Sequence, residues 1–133
     1  STMKKLLVLL FSLLISFNSY GSWELLDDVV VNWGGESGEL YIDKESIKES
    51  NGYVYSWLVI SLNTTDKFGL MSYKIYQQSD CGIDRFKFLQ VNGYKLSMVE
   101  GDIEVEEQDS AWEYSAPDSI GGYIWKYVCD YVD

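Results

Sequence analysis

The order of apolar and polar residues along the chain predicts a β-rich domain closed by one helix. Tyr53 to Asn63 is the clearest strand, with Tyr53, Tyr55, Trp57 and Val59 on one face and Val54, Leu58, Ile60 and Leu62 on the other. Both faces are largely apolar, so this strand is expected to be central and covered on both sides over Trp57 to Ile60. Trp23 to Trp33 holds the β-branched run Val29-Val30-Val31 and reads as a strand. Leu40 to Ile42, Leu70 to Gln77 and Arg85 to Val91 read as further strands. Asp43 to Ile47 reads as a turn or one helical turn. Asn51-Gly52 and Asn92-Gly93 are hairpin signals, the second leading into a strand over Tyr94 to Val99. Asp102 to Glu106 alternates Ile103 and Val105 with carboxylates, the pattern of a strand with one wet face.

The end of the chain changes period. Ile120, Ile124, Tyr127, Val128 and Tyr131 form an apolar stripe at helical spacing. Ser115 is the expected cap, with Pro117 in the first turn and Asp118 near the positive end. Gly121-Gly122 weakens this helix by about 1 kcal/mol per glycine. The sum is an α+β domain, an antiparallel meander with one C-terminal helix across a face.

The N-terminus adds an address. Met3-Lys4-Lys5 precedes the apolar run Leu6 to Phe17, and small residues follow at Ser19 and Gly21. That order predicts a secretory signal peptide over residues 1–21, with two extra leading residues before Met3. The apolar run is shorter than the ~20 residues a spanning helix needs, so no transmembrane helix is expected in the mature form. Residues 22–133 are then one exported domain. No cysteine follows the apolar run as a lipid attachment site, so the expected location is the periplasm, the outer surface or the medium.

Export gives the two cysteines a meaning. Cys81 and Cys129, in an oxidising compartment, are expected to form a disulfide. A loop of that length contributes about 4 kcal/mol on a chain-entropy argument. It would tie the helix to a strand end.

Charge narrows the partner. The formal net charge is −11, and signal removal takes away two further lysines. Nucleic acid is therefore not an expected partner. Against that background, Lys67, Lys74, Arg85, Lys87 and Lys95 outnumber Asp80 and Asp84 in one segment, while Glu100 to Asp109 is densely acidic. Lys74, Arg85 and Lys87 are the expected contact residues for a protein ligand.

Catalysis finds little support. With no histidine, neither a Ser/His/Asp nor a Cys/His arrangement can form. No phosphate loop, dinucleotide fingerprint or nucleophile elbow occurs. A zinc site is not expected from two distant cysteines, and no metal or other cofactor is implied. Glu104, Glu106 and Glu107 read as solvated. The five tryptophans could form a sugar-stacking platform, but core and helix–sheet packing is the expected use of most of their area.

Several short motifs together resemble the surface-adhesin protein E family. They are Tyr41-Ile42-Asp43 with Ser46-Ile47, the aromatic strand holding Trp57, and Ser79-Asp80-Cys81. Trp112, Pro117-Asp118-Ser119 and Tyr127-Val128-Cys129 follow in order. The resemblance spans Leu40 to Cys129. It implies an antiparallel sheet of about six strands with a helix tied on by a disulfide, and homodimers. It also implies binding to host extracellular-matrix and plasma proteins. The alternative expectation is a periplasmic structural or accessory protein that meets another envelope protein and no host ligand.

Overall fold

The structure is a computed structural model that describes residues 23–26, 31–116 and 118–133. The signal peptide expected over residues 1–21, Val29-Val30 and Pro117 lie outside the described residues.

One antiparallel sheet dominates. Its strands are β1 (Trp23–Leu25), β2 (Val31–Trp33), β3 (Glu36–Asp43), β4 (Lys48–Ser50), β5 (Tyr53–Leu62), β6 (Ser72–Asp80), β7 (Arg85–Tyr94), β8 (Ile103–Gln108) and β9 (Glu113–Tyr114). A path of six, β1-β3-β5-β6-β7-β8, carries the sheet. Three short strands are added at its borders, β2 on β3, β4 on β5 and β9 on β7. Among the described residues the sheet thus has nine strands rather than about six, and with one α-helix there, α1 (Ile120–Val132), the domain is mostly β rather than evenly α+β.

Strand alternation and register divide the side chains between two faces. Leu40 pairs with Ile60, Ile42 with Leu58, and Leu58 with Ile75. These side chains turn to the side of α1, where Ile124, Val128 and Cys129 are buried against them. The far end of the same face is covered by Leu26, Val31, Leu70 and Trp33 instead. At about 25 cal/mol per Å² of apolar area, this one-sided core is the main stabilising term.

The helix sits close because its glycines allow it. A Cβ on Gly121 would lie 2.0 Å from the buried Phe86 ring, and one on Gly122 would lie 2.0 Å from the Ala116 carbonyl oxygen. The lost helix propensity is the lesser effect, since contact with the sheet outweighs it. Ser119, not Ser115, is the cap. Its Oγ accepts from the Gly122 N–H at 3.0 Å and donates to the Ala116 carbonyl at 2.9 Å. Gln77, fully buried, donates from Nε2 to the Gly121 carbonyl at 3.1 Å and so joins β6 to the first turn of α1.

The staple forms between Cys81, immediately after β6, and Cys129 on α1, with Cα atoms 5.7 Å apart. Asp80 organises that corner. Its Oδ1 accepts from the Gly82 and Ile83 N–H groups, its Oδ2 pairs with Arg85 at 3.0 Å, and its carbonyl accepts from Trp125 Nε1 at 2.8 Å.

Three sequence expectations are corrected. Asn92-Gly93 is not a hairpin turn, because β7 runs straight through it to Tyr94. Gly93 is a close-approach residue, since a Cβ there would meet Leu70 Cδ1 at 2.8 Å and Tyr73 at 3.3 Å. The chain reverses later, and no strand covers Lys95 to Val99. Instead a short 3-10 turn spans Ser97–Val99, with Met98 and Val99 at positive φ. The Met98 N–H is bound by Ser61 and the Val99 N–H by Ser72. Finally, β8 is exposed at all six residues rather than on one face, because it is an edge strand beyond the reach of α1.

Candidate functional site

The face of the sheet turned away from α1 is the candidate site. Register places Trp57 beside Tyr76, Val59 beside Lys74, Tyr55 beside Gln78 and Tyr53 beside Asp80. Across β7, Lys74 meets Asn92, Gln78 meets Lys87 and Asp80 meets Arg85. Among the described residues no helix or second sheet lies over this face. β5 is central, as expected, but it is covered by an element on one side only. Val59 is nevertheless fully buried. Cover on both sides is thus found at Val59, with no helix or second sheet on this side among the described residues.

Rings and cations pave the surface in two groups. In the first, Trp57 stacks on Tyr76 at 4.5 Å between ring centres, and Tyr55 stacks on Tyr76 at 6.0 Å. Lys74 places its Nζ 4.7 Å from the centre of Trp57 and 5.8 Å from that of Trp23. In the second, Trp112 arrives from the segment after β8 and stacks on Tyr53 at 5.9 Å. The Arg85 guanidinium stands 4.2 Å from the Trp112 ring centre, and Lys87 Nζ stands 4.7 Å from it. Each such contact holds a cation on a ring quadrupole.

Lys74, Arg85 and Lys87, the residues picked out from the sequence, therefore share one face. They are not equivalent. Arg85 is paired with Asp80 and belongs to the corner beside the disulfide. Lys74 and Lys87 have no carboxylate within ion-pair reach among the described residues. About four residues of strand separate them along the sheet, on the order of 13 Å.

The aromatic partners entered the sequence reading only as a possible sugar-stacking platform, with core packing as the expected use. Of the five tryptophans, Trp33 and Trp125 pack on the helix side, as expected, while Trp23, Trp57 and Trp112 serve the open face. The signal was present in the alternation Tyr53, Tyr55, Trp57, which puts three rings on one face of one strand.

Tyr76 has its phenol raised by burial and by neighbouring Tyr55. Tyr41, whose hydroxyl donates to Glu39, is pushed up to about 12 by that hydrogen bond, with burial and the Glu39 charge adding to it. Both of these phenols therefore stay protonated at neutral pH.

Two of the short motifs support the face from its borders. Asp43 caps the Lys44–Ser46 turn by accepting from the Glu45 N–H at 3.1 Å. Ser46 Oγ donates to the Asp43 carbonyl and accepts from the Trp57 N–H at 3.0 Å, so it fixes the strand that carries Trp57. Ser79-Asp80-Cys81 fixes the opposite end of β6.

The profile of the family described as surface-adhesin protein E matches residues 23–130. Crystal form II of Haemophilus influenzae protein E superposes with a TM-score of 0.63, at 18% identity over 84% of this chain and 89% of that one. A second structure of Haemophilus influenzae protein E gives 0.56 at 18% identity, over 84% and 86%. Protein E from non-typeable Haemophilus influenzae gives 0.53 at 17% identity, over 83% and 76%. At these identities the likeness establishes the fold. No curated protein sequence matches the chain. The chain belongs to the surface-adhesin protein E family.

Proposed function

We propose that this member of the surface-adhesin protein E family is an exported, non-enzymatic binding module that holds a protein ligand on its open sheet face. The observation that carries this reading is Lys74 set between Trp23 and Trp57, with Arg85 and Lys87 on Trp112 beside it. Tryptophan, tyrosine and arginine dominate the energetics of protein interfaces. Six strands about 4.8 Å apart and about eight residues long offer roughly 600 Å² of projected surface. That approaches the ~800 Å² per partner of a standard interface.

A protein fits this face better than a sugar. Sugar stacking needs an open ring face, and here rings lie against rings or cations. What remains outward is ring edge, phenol hydroxyl and ammonium. The complementary partner presents carboxylates and apolar side chains. Extracellular-matrix or plasma proteins supply such surfaces, and so does another protein of the bacterial envelope.

Surface plasmon resonance against a panel of matrix and plasma proteins tests the reading. The protein is expected to bind at least one, and Lys74→Glu with Lys87→Glu is expected to abolish that binding while the fold persists. Arg85 is left intact because it supports the Asp80 corner. Binding that survives the double reversal contradicts the proposal.

A further inference from the structure

A second surface lies on the helix side, beyond the end of α1. A cavity of about 310 Å³ opens there among Trp33, Phe68, Tyr73, Val91, Val105 and Glu107. A second cavity of about 180 Å³ shares Trp33, Val91 and Glu107 with it, so the two form one groove along β7 and β8. Phe68 stands 70% exposed on its rim. The loop before β6 is built to hold that phenylalanine out. Asp66 Oδ1 accepts from the Phe68 and Leu70 N–H groups at 2.9 and 3.0 Å, and its Oδ2 accepts from the Tyr73 hydroxyl.

The groove runs beside a free strand edge. β8 pairs with β7 on one side and, among the described residues, with nothing on the other. Its pairing puts Val105 opposite Gly93 and Glu107 opposite Val91, on the groove side. Glu106 lies opposite Asn92, on the other face. A strand added to β8 would thus present alternate side chains to an apolar groove and to a carboxylate row.

We propose that the groove and the outer edge of β8 together receive an extended segment of a partner protein in which lysine or arginine alternates with apolar residues. Charge complementarity selects that occupant. Glu106 and Glu107 lie on β8 beside Glu104, which is 3.8 Å from Lys95, and are flanked by Glu100, Asp102 and Asp109 in a chain of net charge −11. A second copy is disfavoured, because antiparallel pairing of β8 with itself opposes glutamate to glutamate. An acidic or uncharged strand lacks the partner charges.

The probe is a fluorescein-labelled peptide alternating lysine with valine, followed by anisotropy at ~0.15 M salt, where long-range attraction is screened. A peptide of equal composition, with its lysines in one block, is the control for charge alone. The alternating peptide is expected to bind at least about tenfold more tightly, and Glu106→Lys is expected to remove that advantage. Amide exchange on the unaltered protein is expected to slow over 103–108 when the peptide is bound. Equal binding of the two peptides overturns the proposal. So does protection that falls on β5 and β6 and spares β8.

Discussion

Lys74 rests its ammonium on Trp57, 4.7 Å from the ring centre, and reaches Trp23 on the neighbouring part of the sheet. The contact joins β1 to the middle of the open face without a covering element. A cation held this way on a solvent-facing ring contributes about 1 kcal/mol or less. Lys74→Met is therefore expected to unfold within about 1 kcal/mol of the parent in urea. The same change is expected to weaken ligand binding severely, because the outward charge is gone. A large stability loss would make Lys74 a structural residue.

Gly121 faces Phe86 at a distance that excludes any side chain. Gly121→Ala gains about 1 kcal/mol of helix propensity but places a methyl on a ring that is itself buried. Overpacking of a tight core costs about 1–3 kcal/mol, so net destabilisation is expected. Gly122→Ala is expected to cost at least as much, because the obstacle is the Ala116 backbone carbonyl. Thermal unfolding of the two variants checks both. A rise in Tm for either would show that the helix docks more loosely than described.

The Cys81–Cys129 bond closes a loop of sequence separation 48. Its removal by Cys81→Ala with Cys129→Ala is expected to cost about 4 kcal/mol and to lower Tm by about 15 °C. The untethered helix should loosen first. Calorimetry with amide exchange over 120–132 measures both effects. An unchanged Tm would mean that packing of Ile124 and Val128 alone holds the helix.

Asp66 and Tyr73 give stability a pH dependence at both extremes. Burial alone would raise the Asp66 carboxyl, but hydrogen bonds from Tyr73, Leu70 and Phe68 outweigh it and hold the group below its ordinary 3.8. A depressed carboxylate stabilises above the unfolded value and loses that contribution as pH falls through the folded one. Burial and the same bond raise the Tyr73 phenol above its ordinary 10.0. That contribution is full below pH 10 and is lost as pH rises further. Asp66→Asn is expected to cost about 2 kcal/mol at pH 7, as bonds to a charged acceptor typically do. Urea titrations should show the gap to the parent shrinking below pH 4. A constant gap from pH 7 to pH 2 would remove the carboxylate from this account.

Much of the scaffold is legible in the sequence, and the reasons are local. Tyr53 to Leu62 alternates cleanly, and two distant cysteines in an exported chain have one plausible use. The misread elements depend on contacts made elsewhere in the chain. Asn92-Gly93 carries hairpin chemistry, yet Leu70 and Tyr73 need the space a Cβ would fill, so the strand continues. Gly121-Gly122 looks like a weak helix start until Phe86 and Ala116 are seen against it. The three cations could be picked from charge alone. Their ring partners could not, because Trp23 and Trp112 reach the face from segments about ninety residues apart in the numbering. Pairing of β1 through β3 to β5 carries Trp23 to Lys74, and pairing of β9 with β7 carries Trp112 to Arg85 and Lys87.

The open face can be tested through the five tryptophan side chains. In ¹⁵N-labelled protein each indole N–H gives its own resonance, and the tryptophans divide between the two sides of the sheet. On adding a protein ligand, the resonances of Trp23, Trp57 and Trp112 are predicted to shift while those of Trp33 and Trp125 hold. Shifts confined to Trp33 and Trp125 would contradict the account and move the ligand to the helix side.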